Sequence, residues 1–136
     1  MLTRNRPFHQ MPDLPRWYSP TASVILIGDA AHAVPPSSAQ GAAQAVEDGF
    51  SLGMVLAAAQ CKGLGFLNTL EAWQEKRMER IRLVQAVAEA GIARKLDDEE
   101  QIRLDAGQGF AAEGLFAQLF AYDLRRDYDA WISERV

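Results

Sequence analysis

The sequence predicts a mainly α chain with one or few strands, of the kind that forms part of a larger α/β fold. Two long stretches, Gln40 to about Gln60 and Asn68 to about Ile92, place apolar residues at helical spacing. Only one segment, Ser23 to Ile27, has the unbroken apolar, β-branched character of a strand buried on both faces. A lone buried strand has no ladder partners, so its backbone groups demand neighbours that the rest of the sequence does not offer.

The elements follow in order. Residues 1–20 hold four of the six prolines (Pro7, Pro12, Pro15 and Pro20) and read as an extended arm, with Trp17 and Tyr18 to bury. The remainder, 21–136, reads as one unit. After the Ser23–Ile27 strand, Gly28 to Ala39 reads as loop. The alanine-rich helix from Gln40 counts Val46, Phe50 and Leu56 among its apolar anchors, and Lys62-Gly63-Leu64-Gly65 ends it. Asn68 reads as the cap of the next helix, with Glu71 completing a capping-box pattern. Leu70, Trp73, Ile81, Val84, Ala88 and Gly91 form its stripe, interrupted by Arg77, while Glu71, Glu75 and Glu79 form a solvated flank. Lys95 to Gln101 is charged, Gly107 to Gly114 reads as a loose link, and Leu115 to Phe120 is an apolar patch before a charged tail containing Trp131.

Composition narrows the function classes. Hydrophobic residues at 49% and charged residues at 24% suit a globular domain, and a net charge of −4 disfavours a nucleic-acid surface. No window is apolar over the length of a membrane-spanning helix, so no membrane partner is expected. A single cysteine, Cys61, excludes an intrachain disulfide, and a cytoplasmic location is the expectation.

The chemistry concentrates between Val24 and Asp48. Gly28 permits a sharp turn at the strand's end, which puts Asp29 where open sheets hold their ligands. A carboxylate there accepts hydrogen bonds from sugar or ribityl hydroxyls. Pro35 and Pro36 stiffen the approach, and Gly41 leaves room for close backbone contact at a helix start whose free amides favour an anionic group. Gly-Asp alone is commonly just a strand-to-loop turn. The ordered set Gly28-Asp29-Ala30-Ala31-His32, Pro35-Pro36, Gln40-Gly41 and Glu47-Asp48 is far more specific.

This segment resembles the second flavin-binding motif of FAD-dependent monooxygenases of the para-hydroxybenzoate and salicylate hydroxylase type, particularly fungal members from secondary metabolism. Leu14-Pro15-Arg16-Trp17 resembles the lead into that motif, Leu70 to Arg80 the family's long helix with paired arginines, and Leu119 to Asp123 a late aromatic-Tyr-Asp element. The resemblance implies the carboxyl-terminal part of an α/β FAD-binding monooxygenase fold. It also implies FAD as cofactor, NAD(P)H as reductant, and hydroxylation or epoxidation of a small organic substrate. By the same resemblance Gly28 belongs to the cofactor-binding turn, Asp29 meets the ribityl chain, Gly41 and Ala42 face the flavin ring or pyrophosphate, and Pro36, with Pro35, lines the meeting place of substrate and flavin. Ser38 stands where many relatives carry glycine.

Several features of that family have no counterpart in these residues. Gly63-Leu64-Gly65 lacks the third glycine and the preceding strand of a GxGxxG fingerprint. Activity is therefore expected to need a complementary chain or further sequence that supplies the missing FAD domain. The alternative is a non-redox truncated relative, acting as a binding or cyclisation-assisting subunit or as an inactive fragment. No metal site is expected from His9, His32 and one cysteine, and His32 reads as a packing or hydrogen-bonding residue. No G-x-S-x-G elbow presents Ser37 or Ser38 as a nucleophile. Glu47 and Asp48 point about 100° apart on a helix, so Asp48 reads as structural, bonding to the arm or to Arg77.

Overall fold

A computed structural model describes residues 14–93, 114 and 117–135. Its frame is three helices: α2 (Gly41–Lys62), α3 (Phe66–Ala93) and α4 (Leu124–Glu134). A short turn of helix, α1 (Asp29–His32), and a 3₁₀ turn at Pro36–Ser38 precede them. Helix α2 packs against both α3 and α4, and the 3₁₀ turn lies on α3.

No strand forms among the described residues, which corrects the expectation for Ser23–Ile27. The segment makes one isolated antiparallel bridge, Tyr18 with Ile25. Leu26 N–H donates to Trp17 O at 2.7 Å and Ser19 N–H to Val24 O at 2.9 Å. The reason is the missing ladder: one bridge satisfies a few backbone groups, and Val24 and Ile27 stay exposed at 56% and 39%. The arm bends back through Ala22, at φ 53°. Trp17 anchors it, its side chain fully buried and its backbone N–H donating to Gln74 Oε1 at 2.8 Å.

Helix α2 follows the sequence closely in extent but not in facing. Gly63, at φ 66°, ends it by returning its N–H to Ala59 O. The buried side is Gln44, Asp48, Ser51, Val55 and Ala59, whereas Val46 and Phe50, expected as anchors, are exposed at 71% and 49%. Leu56 is half-buried. Hydrophobicity alone picks the wrong stripe here because α2 turns its polar residues inward to meet two arginines.

Helix α3 begins before Asn68, so Asn68 lies within the helix, exposed, and does not cap it; Thr69 N–H already bonds Gly65 O at 3.0 Å. The expected stripe holds from Leu70 to Ala88: Leu70, Trp73, Ile81, Val84 and Ala88 are buried, and Arg77 is buried among them; the burial of Gly91 lies outside what is described. Each fully buried aliphatic side chain contributes about 1.5–3 kcal/mol. Glu71, Glu75 and Glu79 are exposed as expected. Trp17 and Trp73 meet edge-on, ring centroids 5.8 Å apart.

Helix α4 is capped by Asp123, whose carboxylate accepts from Arg126 N–H at 3.0 Å. It buries Tyr128, with Trp131 and Ile132 packed beside it. In the Leu115–Phe120 patch, the neighbours Leu119 and Phe120 face different surroundings, Leu119 buried and Phe120 71% exposed; Leu115 and Phe116 lie outside the described residues. So do Lys95 to Gln101 and the link from Gly107 as far as residue 113.

Candidate functional site

The loop between the arm and α2 is built around Gly28. Its backbone, at φ 58° and ψ −144°, lies where residues with a Cβ are strained. A Cβ placed there would also stand 3.0 Å from the Ala45 Cβ. The turn therefore sits hard against α2. Ala31 N–H and His32 N–H both return to Gly28 O at 2.9 Å, which makes the single turn of α1.

A buried charge network holds this turn from below. The Asp48 carboxylate, fully buried, accepts from Gly28 N–H at 2.7 Å and His32 Nε2 at 2.6 Å through one oxygen. Its other oxygen accepts from Arg77 Nε at 2.7 Å. Arg77 also donates to Glu47 Oε2 at 2.8 Å, Gln44 Oε1 at 2.8 Å and Gln44 O at 3.3 Å. Arg80 grips Glu47 at 3.1 and 3.2 Å and reaches Leu119 O at 2.9 Å. Two carboxylates thus face two guanidiniums. Burial pushes the Asp48 carboxyl up, but the His32 hydrogen bond, the Arg77 charge and the Gly28 amide outweigh it and hold the carboxyl below its ordinary value. Burial disfavours the Arg77 charge, and Asp48 and Glu47 more than restore it.

Asp48 is structural, bonded to Arg77, and His32 is a hydrogen-bonding and packing residue beside the Trp17 ring, 4.9 Å between centroids. Although Glu47 and Asp48 are neighbours on one helix, Arg77 engages both, because its planar fork spans the angle between them. Gln44, Ser51 and Arg80 are the members that pattern reading missed. The available signal was the helical spacing of Gln44, Asp48 and Ser51 on α2. Ser51 Oγ donates to Asp48 O at 3.2 Å and accepts from Trp73 Nε1 at 2.9 Å.

Above the network the surface is open. Asp29 is exposed, and its Oδ1 stands 3.7 Å from where a side chain on Gly41 would begin. Gly41 is half-buried, Ala42 and Pro36 are exposed, and no side chain caps the N-terminus of α2. Gly28 is the one buried member of the group singled out by sequence. The Pro35-Pro36 approach is fixed by Ser38, whose Oγ donates to Pro35 O at 2.7 Å and accepts from Gln40 N–H at 3.2 Å. Serine at this position thus stabilises the loop. The result is an exposed carboxylate facing uncapped helix amides on a rigid turn, an arrangement that accepts hydroxyl donors on one side and favours anionic character on the other.

A model of the FAD binding domain matches residues 18–88, just over half of the chain and including Gly28, Asp29, Pro36, Gly41 and Ala42. The chain belongs to this family. Its relatives include the FAD-dependent monooxygenase opaC of Aspergillus ustus, 43% identical over 51% of this chain and 15% of the relative. Notoamide E oxidase notB' of Aspergillus versicolor is 40% identical over 60% of this chain and 18% of its own length. Salicylate hydroxylase of Pseudomonas putida is 32% identical over 88% of this chain and 27% of its own. The chain therefore spans less than a third of each of these relatives. Solved structures give no significant match. No described helix is long and apolar enough to cross a membrane.

Proposed function

We propose that this chain is the ribityl- and ring-facing portion of an FAD-dependent monooxygenase that hydroxylates or epoxidises a small organic substrate, in secondary-metabolite biosynthesis. One observation carries the reading: the exposed Asp29 carboxylate faces the uncapped start of α2 across Gly41, inside the region matched by the FAD binding domain. When bound, FAD supplies the redox chemistry that links NAD(P)H and oxygen to the substrate.

The residues fit that cofactor in part. Asp29, which is exposed, accepts from ribityl hydroxyls. The backbone of Gly41 and Ala42 offers amides and a positive dipole end to the ring or pyrophosphate. Pro36 and Pro35 hold the loop rigid beside that place and keep the substrate side apolar. Gly28 contributes shape, because only a residue without a Cβ sits against Ala45 there. The adenosine end finds no counterpart among these residues, so a complementary chain or further sequence holds it. The exposed Val24 and Ile27, on a segment with a single bridge, suit such a neighbour.

The test is the flavin absorption between 350 and 500 nm on titrating the purified chain with FAD, repeated with Asp29→Ala. The unmutated chain is expected to perturb the flavin bands, and Asp29→Ala to weaken binding by roughly tenfold with thermal stability unchanged, since Asp29 is exposed. No perturbation by the unmutated chain, with or without a complementary FAD domain, would overturn the reading.

A further inference from the structure

We propose that Arg77 and Asp48 are positioning residues for the cofactor turn: together they set the affinity for flavin through Gly28 without touching flavin themselves. The inference rests on the FAD reading above. Its basis is a continuous chain of contacts. Arg77, in the middle of α3, is fully buried and gives its Nε to one Asp48 oxygen, while the other oxygen holds Gly28 N–H. Gly28 is the residue immediately before Asp29, and its carbonyl starts the turn of α1. The same Arg77 grips the first turns of α2 through Gln44 and Glu47. One guanidinium thus ties together the two parts that must face each other: the turn that carries Asp29 and the helix start that carries Gly41.

A stabilising role alone would not need this arrangement. An apolar core of the same volume is commonly as stable as a buried ion pair, because desolvation offsets most of the attraction. What charge and directionality add is orientation. A carboxylate shared by an amide, an imidazole and a guanidinium fixes the Ile27–Gly28 peptide plane at the entry to the turn and His32 at its far end, and Asp29 lies between the two. Small displacements of a binding group cost far more affinity than stability.

The experiment uses the full chain, ¹⁵N-labelled, as the unmutated protein, Arg77→Lys, Asp48→Asn and a control, Val84→Ala. Val84 is fully buried on the same helix and lies outside the network. Lysine keeps the charge of Arg77 but cannot reach Asp48, Glu47 and Gln44 together. Three quantities are read: the melting temperature, the Gly28 amide resonance with its hydrogen exchange, and the FAD affinity from amide shifts at Asp29, Gly41 and Ala42. Arg77→Lys and Asp48→Asn are expected to move the Gly28 amide and speed its exchange. They are also expected to weaken FAD at least tenfold, while the control changes affinity less than twofold at a comparable loss of melting temperature. Retained affinity in both network variants, or an equal loss in Val84→Ala, would overturn the proposal and leave the flavin reading standing. If the unmutated chain shows no FAD-induced shifts, alone or with a complementary FAD domain, the flavin reading falls and the proposal with it. If Arg77→Lys does not fold, Asp48→Asn decides on the same measures.

Discussion

Gly28→Ala isolates the feature on which the site depends. The substitution adds one methyl group at φ 58° and ψ −144°, a conformation that costs a residue with a side chain about 1–3 kcal/mol. That methyl also arrives 3.0 Å from the Ala45 Cβ, tighter than nine in ten real Cβ contacts, and the partner is a stub of rigid helix with no rotamer to move. Overpacking of this kind costs about 1–3 kcal/mol. The expected loss is about 2–6 kcal/mol, a large share of the roughly 5–15 kcal/mol that holds a domain together. Equilibrium unfolding in urea, followed by fluorescence, measures it, because Trp17 and Trp73 are both buried in the core beside this loop. A second substitution separates the two causes. Ala45→Gly removes the atom the new methyl meets, at a helix-propensity cost of about 1 kcal/mol. The double variant should therefore be more stable than additivity allows by about 1–2 kcal/mol, leaving only the backbone strain. A loss below about 0.5 kcal/mol for Gly28→Ala would refute the reasoning outright. Strict additivity in the double variant would refute the steric half of it.

Acid should loosen the same network. The Asp48 carboxyl is held below its ordinary 3.8, so its contribution is complete above that pH and is lost as pH falls through the lowered value. Unfolding midpoints of the unmutated chain should drop below about pH 3.8 more steeply than those of Asp48→Asn, and equal slopes would count against the network. Trp73→Phe removes the Nε1–H bond to Ser51, 2.9 Å long and buried, and should cost about 1–3 kcal/mol in urea. A neutral result there would mean that Ser51 is held by its bond to Asp48 O alone.

Much of the site was legible because local rules govern it. The Gly-Asp turn, the stiff double proline and the helix opening at Gly41 are consequences of backbone chemistry that neighbouring residues dictate. The buried stripe of α3 was legible for the same reason, since spacing alone selects Leu70, Trp73, Ile81, Val84 and Ala88. The orientation of α2 was not. Val46 and Phe50 are more apolar than Gln44 and Asp48, yet they face outward, and a pattern that ranks residues by hydrophobicity must choose the wrong face. What reverses it is Arg77, 29 positions beyond Asp48 in sequence, whose charge is accommodated inside only because α2 brings carboxylates and an amide to it.

The sequence by itself determined the Gly28 turn, helices α2 and α3 and the family, because those follow from short-range sterics and from an ordered motif; it did not show α4, read as a charged tail, nor the helical turns at Asp29–His32 and Pro36–Ser38, read as loop. It also marked Ser23–Ile27 as strand-like, and that character remains unmet, since a strand is a property of a ladder and one bridge between Tyr18 and Ile25 does not make one. Only the tertiary structure decided how the turn is held. The sequence offered Arg77 as one partner of Asp48, but the partners on the turn and on α1, 20 and 16 residues away, meet the same carboxylate only when the helices pack.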